Sequence, residues 1–149
     1  MNYWLMKSEP DVFSIDHLRK QKIGGWDGVR NYQARNFIRA MKKKDRVLFY
    51  HSNAKPSGIA GIMEIAREAY PDPTQFDPEN EHYDPGSPPN APRWSQVDVK
   101  FLKTFRKILP LDEIRDVPAL QGMVLLKRGR LSVQPVTTAE WRLILRMCS

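Results

Sequence analysis

Cysteine is nearly missing from this chain of 149 residues; Cys148 is the only one. No disulfide can form within it, which points to a reducing compartment: the cytoplasm, or the nucleus in a eukaryote. The histidines are His17, His51 and His82, and their scatter gives no metal-ligand spacing. Neither a metal nor another cofactor is expected. Long hydrophobic runs are also missing. The apolar Tyr3-Trp4-Leu5-Met6 passes directly into Lys7-Ser8-Glu9-Pro10, too short for a signal peptide or a membrane span. There is no phosphate-binding glycine loop, no Ser-His-Asp pattern, and no repeat, heptad or low-complexity linker.

Positive charge is present in excess. The net charge is +7 and the pI about 9.7, which favours a polyanionic partner, with DNA or RNA first. The segment from Pro71 to Pro92 is the exception. It holds seven of the twelve prolines and five acids (Asp72, Asp77, Glu79, Glu81, Asp84), with no lysine or arginine. The remaining 127 residues therefore carry +12. A loop of this length in a chain of one-domain size (residues 1–149) is functional or disordered more often than not. As a mobile lid, it would compete with phosphates through its charge.

The periodicity predicts strands over residues 2–6, 46–52, 59–70, 94–109 and 131–136, with Gly61 as a bend or bulge. Ser14 is placed as a helix N-cap, with Phe13 and Leu18 as a hydrophobic staple. That helix is expected to run to about Lys22 and to stop at Gly24 or Gly25. Asn31 is placed as the N-cap of a second helix, with Ala34, Phe37, Ile38 and Met41 on its buried face and Lys42-Lys43-Lys44 closing it. Thr137 to Glu140 forms a capping box for a last helix. Trp4 and Trp141 lie in patterned elements and belong to the core. These elements do not alternate regularly as βαβ units. The predicted class is α+β, a mixed sheet closed towards a small barrel.

The most specific stretch is Trp26-Asp27-Gly28-Val29-Arg30-Asn31-Tyr32-Gln33-Ala34-Arg35-Asn36-Phe37. It places an indole among glycines and runs into a helix N-terminus. Glycine permits positive φ and close approach to a ligand. An aromatic face, an amide and free N–H groups within a few residues suit a flat, polar-edged group attached to an anion, such as a nucleotide.

Together with Tyr3–Pro10, Phe49-Tyr50-His51-Ser52-Asn53, Tyr70–Asp77 and Arg130–Val136, that stretch resembles the five signature blocks of the EVE domain, in order and over essentially the whole chain. The resemblance implies a PUA-like fold, a mixed β pseudo-barrel with short peripheral helices. The family is similar to the YTH domain, which reads a methylated adenine in RNA through an aromatic cage. What it implies is a reader of modified bases in nucleic acid, not an enzyme.

On that reading, Trp26 is the stacking face of a base pocket. Asn31 and Ser52 read the base edge, and Lys7, Ser8 and Glu9 form the rim. Trp94 is a second wall, Ser132 and Pro135 come from the last strand, and His51 faces the pocket. Arg30, Arg35, Lys127, Arg128 and Arg130 hold the phosphate backbone. Trp26→Ala is then expected to abolish base preference and leave the fold intact. Rival readings stay open at this point. Asn31 serves equally as a cap alone, Trp94 as a plug of the barrel, Arg30 and Asp27 as a loop-holding pair, and His51 as a core histidine. Two other functions also remain. Lys7 and Glu9 supply the groups of a hydrolase acting on modified nucleosides, and the acidic loop suits a small-metabolite or protein-interaction module.

Overall fold

A computed structural model describes residues 1–148. Six strands form one sheet: β1 (Tyr3–Ser8), β2 (Ile23–Gly25), β3 (Arg46–His51), β4 (Gly58–Pro71), β5 (Ser95–Pro110) and β6 (Val133–Val136). Their order is β2-β5-β4-β3-β1-β6. β1 and β3 are parallel and every other pairing is antiparallel. The helices are α1 (Ile15–Gln21), α2 (Tyr32–Ala40), α3 (Leu111–Arg115), α4 (Val124–Lys127) and α5 (Thr138–Met147).

Side chains alternate across a strand, so each face of the sheet has its own core. One core takes Trp4, Met6, Val47 and Phe49 from the central strands and packs them against Leu18 of α1 and Ile38 of α2. The other takes Leu5, Leu48 and Tyr50 and packs them against Ile114 of α3, Leu125 of α4 and Trp141 of α5. Helix α2 touches both β5 and β6. In a flat sheet those strands would lie about 19 Å apart, at roughly 4.8 Å per strand. They reach one helix because the sheet curls around it, which is the pseudo-barrel expected above. Curling is helped by a register shift beside Gly61, where the parity switches: Ala60 and Met63 both join the first core.

Several caps are as predicted. The Ser14 side chain accepts from His17 N–H, and His17 returns the bond as a capping box. Asn31 Oδ1 accepts from Ala34 N–H at 2.9 Å, and Thr137 and Glu140 cap α5 reciprocally. Four boundaries differ. Helix α1 runs to Gln21 as expected, but its stop is the cap Lys22, which adopts φ 73°, and Gly24 and Gly25 instead pair with β5 as an edge strand. Helix α2 ends at Ala40, so Lys42–Lys44 lie in the following turn. Chain reversal there is held by Asp45, whose carboxylate accepts from Lys42 N–H and from Trp4 Nε1. Strand β1 continues through Lys7 and Ser8, and β6 starts only at Val133. No helix among the described residues is long and apolar enough to cross a membrane.

Candidate functional site

The last two residues of β1 divide two hollows. Odd positions of this strand face the second core and even ones the first. Lys7 therefore leans towards the α3–α4 side and Ser8 towards Trp26.

On the Ser8 side is a cavity of about 310 Å³, bordered by Lys7, Ser8, Val12, Phe13, Trp26, Asp27 and His82. Trp26 continues the β2 pairing through its N–H to Val97 O at 2.8 Å. The residue is only 7% exposed, its ring edge-to-face with Phe49 at 5.3 Å and Phe13 at 6.1 Å. The expectation of a ring standing apart from the core is thus corrected. Trp26 is a core residue with one border on a cavity. Its Nε1–H has no hydrogen-bond partner among the described residues and is not one of the fully enclosed unsatisfied atoms, and the residue borders that cavity.

Asp27 follows at the mouth. Desolvation, then repulsion from Asp72, pushes its carboxyl above the ordinary value, against the pull of His82 and Arg30. Gly28 takes φ +81° and gives its N–H to Asp72 Oδ2 at 2.8 Å. A Cβ here would sit 2.7 Å from His82 Nε2, so glycine is required both by the backbone and by the histidine lying against it.

His82 arrives on the acidic loop, and this loop is pinned by its own polar residues. Asp72 is 0% exposed. Its carboxylate accepts from Gly28 N–H, Arg30 Nη1, Thr74 N–H and Thr74 Oγ1, all within 3.0 Å. Buried Gln75 donates to Asp72 O and Trp94 O, and its Oε1 accepts from Ser87 Oγ. A free lid driven by acidic charge is not what these contacts describe, since Asp72 and Asp84 are both committed to bonds that tie the loop to the body.

Arg30 is the largest correction to the phosphate set. Its guanidinium has five N–H donors, and all five are used, on Asp72 Oδ2, Thr74 Oγ1, Val29 O and, twice, His82 O. It staples the loop that carries His82 and has no donor left for a phosphate. Trp94 is likewise no pocket wall. It is buried, gives Nε1–H to Asp84 at 2.7 Å, and lies under Arg30 at 5.4 Å and against Tyr32 at 4.9 Å. Both belong to the loop anchor: Arg30 holds the loop, and Trp94 ties it through Asp84 and does not plug the barrel.

The other candidates are dispersed. His51 is a core histidine: Nε2 accepts from Ile15 N–H at 3.1 Å, and burial lowers its pKa. Pro135 lies beside Trp4 and Thr137, away from the cavity. Asn31, a helix cap, also borders a basic hollow of about 280 Å³ with Lys127, Arg128 and Arg130. Arg128 donates to Gln33 at 2.6 Å, while the side chains of Lys127 and Arg130 make no hydrogen bond or ion pair among the described residues. Arg35 is partly engaged, by Arg93 O and by Asn36. Glu9, Ser52 and Ser132 line a second cleft on the far side of β1. Ser52 follows Tyr50 on the same face, so it cannot share a pocket with Trp26. Parity along β3 carried that signal. Asp27 and His82 were missed as pocket residues. Asp27 was weighed only as a loop pair, and nothing local marks a histidine in an acidic loop as arriving 54 residues away beside Gly28.

Lys7 Nζ donates to Gly129 O at 2.6 Å, and burial lowers its pKa. Glu9 instead accepts from Asn53. The two form no ion pair among the described residues, so the paired acid and base of the hydrolase alternative are not assembled. No group of three His, Cys, Asp or Glu residues among those described is placed to hold a metal.

A family model described as the EVE domain matches residues 2–147. Thymocyte nuclear protein 1 of Mus musculus is 48% identical over 165 residues, covering 98% of this chain and 73% of the relative. The Homo sapiens protein of that name is 47% identical, with the same coverage. The solved structure of human THYN1 in complex with 5-methylcytosine-containing DNA superposes with a TM-score of 0.95 at 47% identity, over 99% of this chain and 97% of that one. A hypothetical protein from Leishmania major does so with a TM-score of 0.96 at 51% identity, over 99% and 94%. With a match from the second residue to the hundred-and-forty-seventh, and with relatives at these identities, the chain belongs to the EVE domain family.

Proposed function

We propose that this chain is a nucleic-acid reader that seats one flipped base, a modified cytosine in the first instance, in the hollow beside Trp26. The observation that carries this is that Trp26, its indole N–H without a partner among the described residues, and Asp27 border one 310 Å³ cavity. That size is at the lower end of small-molecule sites. The human relative's complex with 5-methylcytosine DNA supports both the ligand class and the modification.

Flipping a base from a duplex costs a few kcal/mol. Aromatic contact returns roughly 1–3 kcal/mol, so the remainder must come from the base edge and the added methyl group. Asp27 is suited to accept from a cytosine N4 amino group. A methyl group in a fitted pocket adds only about 1–3 kcal/mol, so preference is graded and not absolute. Phosphates are held at the Asn31–Arg130 hollow by Lys127, Arg128 and Arg130.

Asp27→Ala tests the pocket. It should weaken binding of methylated and unmethylated cytosine strands alike by about tenfold or more and reduce the preference for cytosine over thymine at that position, measured by fluorescence anisotropy. A carboxyl whose pKa is raised by folding lowers stability as pH rises through its titration range. Its removal should therefore leave the melting temperature unchanged or slightly higher at neutral pH. Unchanged preference would reject Asp27 as the edge reader. Replacing Arg128 and Arg130 together with alanine should weaken all nucleic acids alike. The slope of log affinity against log salt should become shallower by about 2, as each phosphate contact contributes roughly 0.9. A loss confined to methylated strands would move these arginines into base recognition.

A further inference from the structure

The cleft on the other side of β1 is larger, about 480 Å³, and shares only Lys7 and Ser8 with the base pocket proposed above. Its wall repeats a chemistry suited to a phosphorylated, partly apolar ligand. Lys7, Arg115 and Arg130 contribute positive charge against Glu9, and Leu111, Leu125 and Leu126 contribute an apolar floor.

Tyr50 points to an occupant. Its residue is 3% exposed, and buried tyrosine hydroxyls normally find a partner. This one has none among the described residues, yet it is not one of the fully enclosed atoms, so it gives onto the cleft. Burial raises its pKa, which keeps it a proton donor at neutral pH. The Lys7 ammonium lies 5.5 Å from the same ring, beside it in the parallel register of β1 and β3. The hydroxyls of Ser52 and Ser132 and the Arg130 guanidinium are also without protein partners among the described residues.

Lys7 and Ser8 border both hollows. The two hollows therefore adjoin at the end of β1. We infer that this cleft is a subsite for the nucleotide adjoining the flipped base, with its phosphodiester at Lys7, Arg115 and the Tyr50 hydroxyl and its nucleoside over the leucine floor. The inference rests on the base-pocket reading, and it makes the recognised unit a dinucleotide.

Amide and indole NMR shifts separate the two readings. The probes are 5-methyl-2′-deoxycytidine, its 3′- and 5′-monophosphates, and dinucleotides extended on either side. The Trp26 indole N–H should respond to every probe. Tyr50, Ser52 and Arg115 amides should respond only once phosphate and a second nucleoside are attached on one side, which also identifies the strand polarity. The affinity gained from dinucleotide over nucleoside should fall about tenfold in Tyr50→Phe and in Arg115→Ala, the loss of one hydrogen bond to a charged group. Binding of the bare nucleoside should be unchanged in both. A responding Trp26 with a silent cleft, or an undiminished gain in both variants, overturns the inference and leaves the base pocket standing. A Trp26 indole that ignores every probe overturns both.

Discussion

Arg30→Ala is expected to destabilise the protein by about 3–5 kcal/mol, the cost of leaving a buried carboxylate without its cation. The Asp72 side chain is 0% exposed and Arg30 stands 3.0 Å away with 21% of its side chain exposed. The loss extends beyond the pair. Arg30 also holds His82 O and Thr74 Oγ1, so the whole loop that presents His82 to the cavity loses its staple. Chemical denaturation should show a lowered midpoint. A variant within 1 kcal/mol of wild type would mean that the loop is held by Gln75 and Trp94 alone.

The same carboxylate sets a pH dependence. Burial by itself would raise the Asp72 pKa. Hydrogen bonds from Thr74, Gly28 and Arg30 outweigh it and hold the value below the ordinary 3.8. A carboxyl with a depressed folded pKa contributes stability that is present above its unfolded value and lost as pH falls through the folded one. Stability should therefore decline below about pH 4 in the wild type. An Asp72→Asn variant, less stable at neutral pH, should show a flatter acid limb. Parallel limbs would show that other carboxylates dominate.

Trp26→Ala should cost about 3–5 kcal/mol as well, the range for removing a large buried aromatic, which at this chain length lowers the melting temperature by roughly 6–20 °C. Its ring fills space between Phe13 and Phe49. The expectation that this variant keeps an intact fold is thereby corrected, and loss of binding in it says nothing about recognition. Trp26→Phe separates the roles. It keeps most of the packing but removes the indole N–H, so base preference should fall while calorimetric stability changes by less than half as much as in Trp26→Ala. Equal preference in Trp26→Phe and wild type would assign the ring to structure alone. Deleting residues 74–90, by the same logic, is a poor probe of a lid, because Gln75 and Ser87 are buried in that segment.

Local chemistry was readable from the residues. The N-caps Ser14, Asn31 and Thr137, the buried face of α2, the long strands and the bulge at Gly61 depend on contacts within a turn or on strand parity. Side-chain periodicity also contained the separation of Ser52 from Trp26, although that consequence was not drawn. The acidic, proline-rich segment was legible as unusual, but its internal bonding was not.

The residues by themselves determined the family blocks, the sheet-forming segments and the basic body. Tertiary structure alone decided which charges are spent inside the protein. Arg30 and Asp72 are separated by 42 residues, Arg30 and His82 by 52, and Lys7 and Gly129 by 122. A guanidinium looks the same in sequence whether its five donors meet a phosphate or a neighbouring loop. Burial and hydrogen-bond saturation select between those fates, and both arise only when distant segments close on one another.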